Sequence, residues 1–321
     1  MTEQVYSLSN PLITVITESV MFSISLTGLL FNGLVIYIML FRHKSKEIDI
    51  WFMTYIAIFD ILLAITIIGS QISKMVTFHE ILFNNIWYCQ YSGMFNILLT
   101  STSIDGVGML SLIRALAIVK NITFKSVYWY ILMILLFIAN LIFGIFGVTN
   151  QAFRVMESQS YCQPSFSKNR YSKIYSIVII GKMFLMLFIL MVSYICISVK
   201  YCNLLSDMNN SKDSSSDLLV GRKPLHVLQR AVITKLFGLV FMYMLCFLPE
   251  LITLVYNIST KSERNPIADA ISGSAMNFTI VVNSVFVLFY HEETRRILVN
   301  LLPLWMHRGK LNGDAYSLEG R

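Results

Sequence analysis

Residues 89–114 read CQYSGMFNILLTSTSIDGVGMLSLIR, an apolar run with a cysteine at one end and an arginine at the other. As a helix rising about 1.5 Å per residue, this stretch is roughly 37 Å long, close to the thickness of a bilayer with its interfaces. Cys89 then lies at one membrane face and Arg114 at the other. Outside a cell Cys89 can be oxidised. Inside, Arg114, in the run Ser111-Leu112-Ile113-Arg114-Ala115, can face a cytoplasmic protein.

The rest of the chain has the same character. Of its 321 residues 56% are hydrophobic and 13% charged, with a mean hydropathy of +0.66. A soluble domain carries about twice that charge fraction. Candidate spans fall at about 12–41, 50–74, 87–119, 127–149, 173–201, 229–257 and 267–290. Each is long enough to cross about 30 Å of hydrocarbon as a helix. The runs lack the alternation of barrel strands, so the expected fold is an all-α membrane protein, a seven-helix bundle. The first run is too long and lacks the basic leader of a cleavable signal peptide.

Basic residues set the expected orientation. Arg42, Lys44 and Lys46 follow span 1; Lys120 and Lys125 follow span 3; Lys200, Arg222, Lys223 and Arg230 flank the loop after span 5; Arg295, Arg296, Arg308 and Arg321 lie in the tail. Residues Thr2 to Asn10 carry no Lys or Arg, while the loops of that side hold Lys74, Arg154, Lys168, Arg170, Lys173, Lys261 and Arg264, so the asymmetry is clear but not extreme. This places the N-terminus outside and the C-terminus in the cytoplasm. The net charge of +7 is then a topology signal and gives no support to nucleic-acid binding. Cys89 and Cys162 both fall on the outer side, where a disulfide can persist. A bridge between them would pin the loop 150–172 to the top of span 3; the alternative is two unpaired thiols.

Ionisable groups inside spans are costly and are functional candidates by default. Asp60, Asp105, Arg114, Lys182 and Glu250 stand out. Asn32, Ser103, Thr279 and Asn283 lie at depths similar to Asp60. An acid among neutral oxygens suits a small hard cation such as sodium, and equally suits an interhelical hydrogen-bond cluster. Lys182 and Glu250 both lie toward the outer halves of their spans. They either pair with each other or meet opposite charges on a ligand. Lys182 is also the one obvious basic partner for Asp105. Pro249 within span 6 removes a backbone hydrogen bond and kinks the helix, as a hinge or as a static bend.

After span 7, Ile297, Leu298, Leu301, Leu302 and Trp305 recur at helical spacing behind a charged start at His291-Glu292-Glu293. A short amphipathic helix on the inner membrane surface is expected over about 291–303, touching lipid and ended by Pro303. Residues 304–321 then form a cytoplasmic tail, and residues 1–303 the seven-span domain. The polar loop 203–227 is expected to be disordered.

Together these residues resemble the rhodopsin-like G-protein-coupled receptors, over about residues 12–303. Asn32 with Val35 is similar to the family's Asn-x-x-Val in span 1, and Ala57 with Asp60 to its Leu-Ala-x-x-Asp in span 2. Cys89, Cys162 and Arg114 match its disulfide and cytoplasmic arginine. Tyr194 fits its span-5 tyrosine. Cys246-Phe247-Leu248-Pro249 resembles Cys-Trp-x-Pro, and Asn283-Ser284 stands where the family has Asn-Pro. Departures mark a divergent, chemoreceptor-type member. Ile113 replaces the acid before the arginine and Gln229 an acid in span 6, which implies a loosely locked resting state. Asn96 replaces the acid of amine receptors, which argues against a monoamine ligand.

The resemblance implies a plasma-membrane receptor and no enzyme. An extracellular small molecule or short peptide would bind near Asn96, Lys182, Glu250 and Asn277. Phe247, Pro249 and Asn283 would act as hinge and switch. Arg114 and Tyr194 would engage a heterotrimeric G protein once the inner end of span 6 swings outward. No cofactor is implied beyond an allosteric sodium ion at Asp60, Ser103, Thr279 and Asn283. A transporter or channel lined by the intramembrane charges is the alternative. A retinal protein would need a lysine in span 7, and residues 267–290 contain none.

Overall fold

A segment that is apolar on most of its faces cannot leave its backbone polar groups unpaired in lipid, so it closes its hydrogen bonds within itself as a helix. The computed structural model describes residues 8–42, 48–122, 124–164, 170–212, 225–260, 264–290 and 292–301. Among the described residues, seven helices are long and apolar enough to cross a membrane. Span 1 is α1 (Pro11–Tyr37), which ends in a wide turn over Ile38–Arg42. Span 2 is α2 (Ile48–Val76), followed by the short α3 (Glu80–Asn84). Spans 3 and 4 are α4 (Ile86–Lys120) and α5 (Ser126–Thr149). A hairpin of β1 (Phe153–Val155) and β2 (Cys162–Pro164) precedes span 5, α6 (Arg170–Lys212), and span 6, α7 (Leu225–Thr260). Span 7 is two pieces, α8 (Pro266–Asn277) and α9 (Thr279–Tyr290), and α10 (Glu292–Leu301) follows.

Local signals explain the ends. Asn85 caps α4 by accepting a hydrogen bond from the Tyr88 amide at 3.1 Å. Asn121 closes α4 in the left-handed conformation at φ 53°. Asn265 caps α8 with Pro266 in the first turn. The break in span 7 has no proline. Instead Asn277 donates to Gly273 O at 3.0 Å and the Thr279 hydroxyl to Met276 O at 2.8 Å, so side chains compete for the local carbonyls.

The bundle buries two main apolar clusters. One gathers α4, α6 and α7 around Tyr175, Leu190, Tyr194 and Phe247. The other joins α1, α2, α4 and α9 through Val35, Phe52, Met109 and Leu288. Leu298 of α10 packs into the second, while Arg295 and Arg296 stay exposed, as an amphipathic helix lying along the bundle end requires. The expected residues 302–303 of that helix, and the tail beyond, lie outside the described residues. The expected disorder of 203–227 is corrected at its start: α6 continues to Lys212. Residues 213–224 lie outside the described ones.

Cys89 and Cys162 are joined, with Cα atoms 5.5 Å apart. The bridge lays the β-hairpin over one end of the bundle. Gln90 secures it further: its amide donates to Phe153 O at 2.6 Å and accepts from Phe153 N at 3.2 Å. Thr14 of α1 donates to Ser158 O at 2.9 Å, and Lys74 of α2 donates to Ser160 O.

Candidate functional site

Under the hairpin lies a small, mostly buried polar cluster. Glu250 sits on α7 directly after Pro249 and is 3% exposed. Arg264, from the connection between α7 and α8, turns inward and meets it. Its Nη2 lies 2.9 Å from Glu250 Oε1 and its Nη1 3.2 Å from Oε2, a two-pronged fit of guanidinium to carboxylate. Nη1 also lies 3.3 Å from Asp269 Oδ1 on α8. Asp269 in turn accepts from the Ser158 amide at 3.1 Å, and the Tyr161 hydroxyl lies 2.9 Å from both its Oδ1 and its carbonyl oxygen. Burial works against the charge of Arg264, but Glu250, then Tyr161 and Asp269, hold its pKa above the ordinary arginine value. Burial, then the charges of Asp269 and Glu250, push the Tyr161 phenol well above its usual value, so it stays a neutral donor.

Tyr161 reaches this position because residue 273 is glycine. A Cβ there would lie 2.5 Å from the Tyr161 ring, closer than atoms can approach. Beside the cluster is a cavity of about 30 Å³, lined by Gln163, Ser176, Ile180, Glu250, Arg264 and Met276 among others. Asn96 lines a separate space of about 10 Å³ with Gln71 and Tyr161. The side-chain oxygens of Asn96, Ser176 and Asn277 are buried without a hydrogen-bond partner among the described residues.

Of the two alternatives for Lys182 and Glu250, the pair with each other is not formed. Lys182 Nζ lies 2.8 Å from Asp105 Oδ2, which also accepts from Asn140 at 2.8 Å. The trio ties α6, α4 and α5 together, away from Glu250. A helix face decides this: Lys182 points to the α4 and α5 side of its helix, where Asp105 is already buried at 1% exposure. Asp105 thus finds the basic partner expected for it.

Near the middle of the bundle, Asp60 accepts from Ser103 at 2.6 Å and from Asn283 at 2.8 Å. The Tyr243 hydroxyl donates to Asn283 Oδ1, and the Tyr243 ring stacks on Phe247 at 6.2 Å between centroids. The chain Phe247–Tyr243–Asn283–Asp60 therefore links α7 to α9, α2 and α4. Both Asp60 oxygens already have donors, and Asn283 turns its NH₂ rather than its oxygen toward the carboxylate. The Thr279 hydroxyl goes to Met276 O, and Asn32 donates to Gly28 O at 2.9 Å and Ile280 O at 3.0 Å. A cation would find one carboxylate and one hydroxyl. This set closes on itself as a clamp and does not fit a sodium cage.

At the far end, Arg114 Nε lies 2.8 Å from Asp49 Oδ2 in the first turn of α2. The Tyr194 hydroxyl interacts with the same guanidinium. The side chains of Arg114 and Asp49 are 18% and 27% exposed. With Ile113 in place of the acid before it, Arg114 instead takes an acid from another helix, which adds a tie to the expected loosely locked resting state. The side chain of Gln229 lies outside the described ones.

Sequence reasoning missed Asp49, Arg264, Asp269, Tyr161 and Tyr243 as site residues. It also missed a buried pair, Glu18 of α1 with Lys74 of α2 at 2.7 Å, to which His79 adds a contact at 3.1 Å. Glu18 was readable, since an acid inside an apolar run needs a partner. Tyr243 was readable as well, four residues before Phe247 and so on the same helix face.

A seven-span bundle with a disulfide-bound lid at one end and an arginine at the other end of its third span is the architecture of a heptahelical membrane receptor. The family described as 7 transmembrane receptor (rhodopsin family) matches residues 31–286, and the chain belongs to it. No curated protein matches the chain. The expected family, the seven-span fold and the Cys89–Cys162 bridge are thereby borne out.

Proposed function

We propose that this chain is a plasma-membrane receptor with its N-terminus outside, which binds an extracellular small molecule or short peptide beneath the hairpin and activates a heterotrimeric G protein at the Arg114 end. The lysine and arginine distribution supports that orientation. The observation that carries the reading is Arg114 held by Asp49 beside Tyr194 at the cytoplasmic mouth, while Glu250 sits next to the Pro249 hinge at the other mouth. Ligand contact at Glu250 acts on the helix whose inner end must swing. A ligand shifts the balance only by its differential affinity for the two forms. The Tyr243–Asn283–Asp60 chain passes that bias between helices, and no step depends on an ion. In a transporter the intramembrane charges would line a path; here Lys182 and Asp105 satisfy each other.

The test is nucleotide exchange on heterotrimeric G proteins by the full chain in nanodiscs, without ligand. Asp49→Asn should raise exchange and Arg114→Ala should abolish it. If neither substitution changes exchange on any G-protein class, the coupling role of Arg114 is wrong.

A further inference from the structure

The cluster beneath the hairpin carries more negative charge than positive. Glu250 and Asp269 supply two carboxylates and Arg264 one guanidinium, all buried. The nearby Lys74 is already committed to Glu18 and to Ser160 O. Among the described residues one carboxylate charge is therefore left over, in a place where unpaired charge is costly. The cavity alongside, at about 30 Å³, is far below the roughly 300 Å³ at which ligand pockets begin. Something that now fills the mouth must leave before a ligand can be held. Arg264 is the group placed to do so. It enters from a connection between helices rather than from a helix, and it occupies Glu250 in the two-pronged manner of a bound guanidinium.

We propose that Arg264 is a built-in occupant of the ligand site, and that the ligand is a cation, an amine or guanidinium with an apolar body, which takes its place on Glu250. This rests on the receptor reading above and adds the chemical class of the ligand. The surplus negative charge favours a cation and penalises an anion. The apolar body would meet Ile179, Ile180, Met183, Leu254 and Met276, which line the same cavity. A second, independent pointer is Ser176. It is 3% exposed, lines that cavity, and its hydroxyl has no partner among the described residues. A ligand with a polar group beside its cation would satisfy it. The amine is held from span 6, so Asn96 on span 3 is no obstacle. Glu250 adjoins Pro249, so exchanging a tethered cation for a free one alters the tie between the α7 hinge and the α7–α8 connection.

The test uses the full chain in nanodiscs, with butylguanidinium as probe and pentanoate as an anionic control of similar size. Thermal unfolding is the readout. Arg264→Gln should lower Tm, and millimolar butylguanidinium should restore it in a dose-dependent way. The double variant Arg264→Gln with Glu250→Gln should show no restoration, and pentanoate should restore neither. Should Arg264→Gln not fold, Arg264→Lys keeps the charge but loses the fork. Its Tm should respond to butylguanidinium at about tenfold lower concentration than the unaltered chain, the factor for one competing charge-assisted hydrogen bond. Equal response of the double variant, an equal effect of pentanoate, or no concentration difference between the Arg264→Lys variant and the unaltered chain overturns the proposal. Because no G protein is present, this outcome is independent of the coupling test.

Discussion

The two mouths of the bundle hold their arginines differently. Beneath the hairpin, the side chains of Arg264 and Glu250 are each 4% exposed, and a second acid and a tyrosine close the ring. At the opposite mouth, Arg114 meets Asp49 with both side chains partly in contact with solvent. Removing one member of a buried pair leaves an unpaired charge and costs about 3–5 kcal/mol. A pair partly open to solvent contributes less, nearer the roughly 0–1 kcal/mol of an exposed pair. The mouth beneath the hairpin is therefore built to stay shut, and the opposite mouth is held by the weaker interaction.

The largest effect expected is from Arg264→Ala, which strands two carboxylates. Thermal or denaturant unfolding in nanodiscs should show a loss of about 3–5 kcal/mol; a loss near zero would mean the two mouths are alike. Next is Cys162→Ser. It opens a loop of 73 residues and should cost about 2–5 kcal/mol, read as a fall in Tm that reducing agent no longer deepens. Asp60→Ala removes the acceptor for Ser103 and Asn283, and should cost about 1–3 kcal/mol. The smallest stability change is expected at Asp49→Asn, about 1 kcal/mol or less. Its functional effect is larger in proportion: if that energy holds the resting form, ligand-independent nucleotide exchange rises up to about 5-fold. An Asp49→Asn chain that loses stability as heavily as Arg264→Ala would erase the contrast between the mouths.

What the sequence revealed divides along a physical line. The spans, the bridge from Cys89 to Cys162 and the grouping of Asp60 with Ser103 and Asn283 were legible, because depth along a helix follows from counting residues. Partners across helices were not, because depth leaves the facing direction open. Lys182 and Glu250 share an outer-half position, yet one turns to Asp105 and the other to Arg264. Arg264 does not stand out in the sequence, because it lies in a loop and loops normally lie on the surface; only the hairpin above it makes its site an interior. Asp49 lies just before the expected span 2 of 50–74 and does not stand out, although it lies at the depth of Arg114. Thr279 had the right depth, but its hydroxyl was taken by the carbonyl of Met276 at the break in span 7.

Gly273 gives the sealed mouth a steric side that charge alone does not describe. The Tyr161 ring rests where any other residue would place a carbon. A single added methyl would act as a wedge, prising the tyrosine off Asp269 while leaving every ionic group in the chain unaltered. Closure of this receptor is thus a matter of fit as much as of attraction, and a Gly273→Ala chain would be a version whose cover no longer seats.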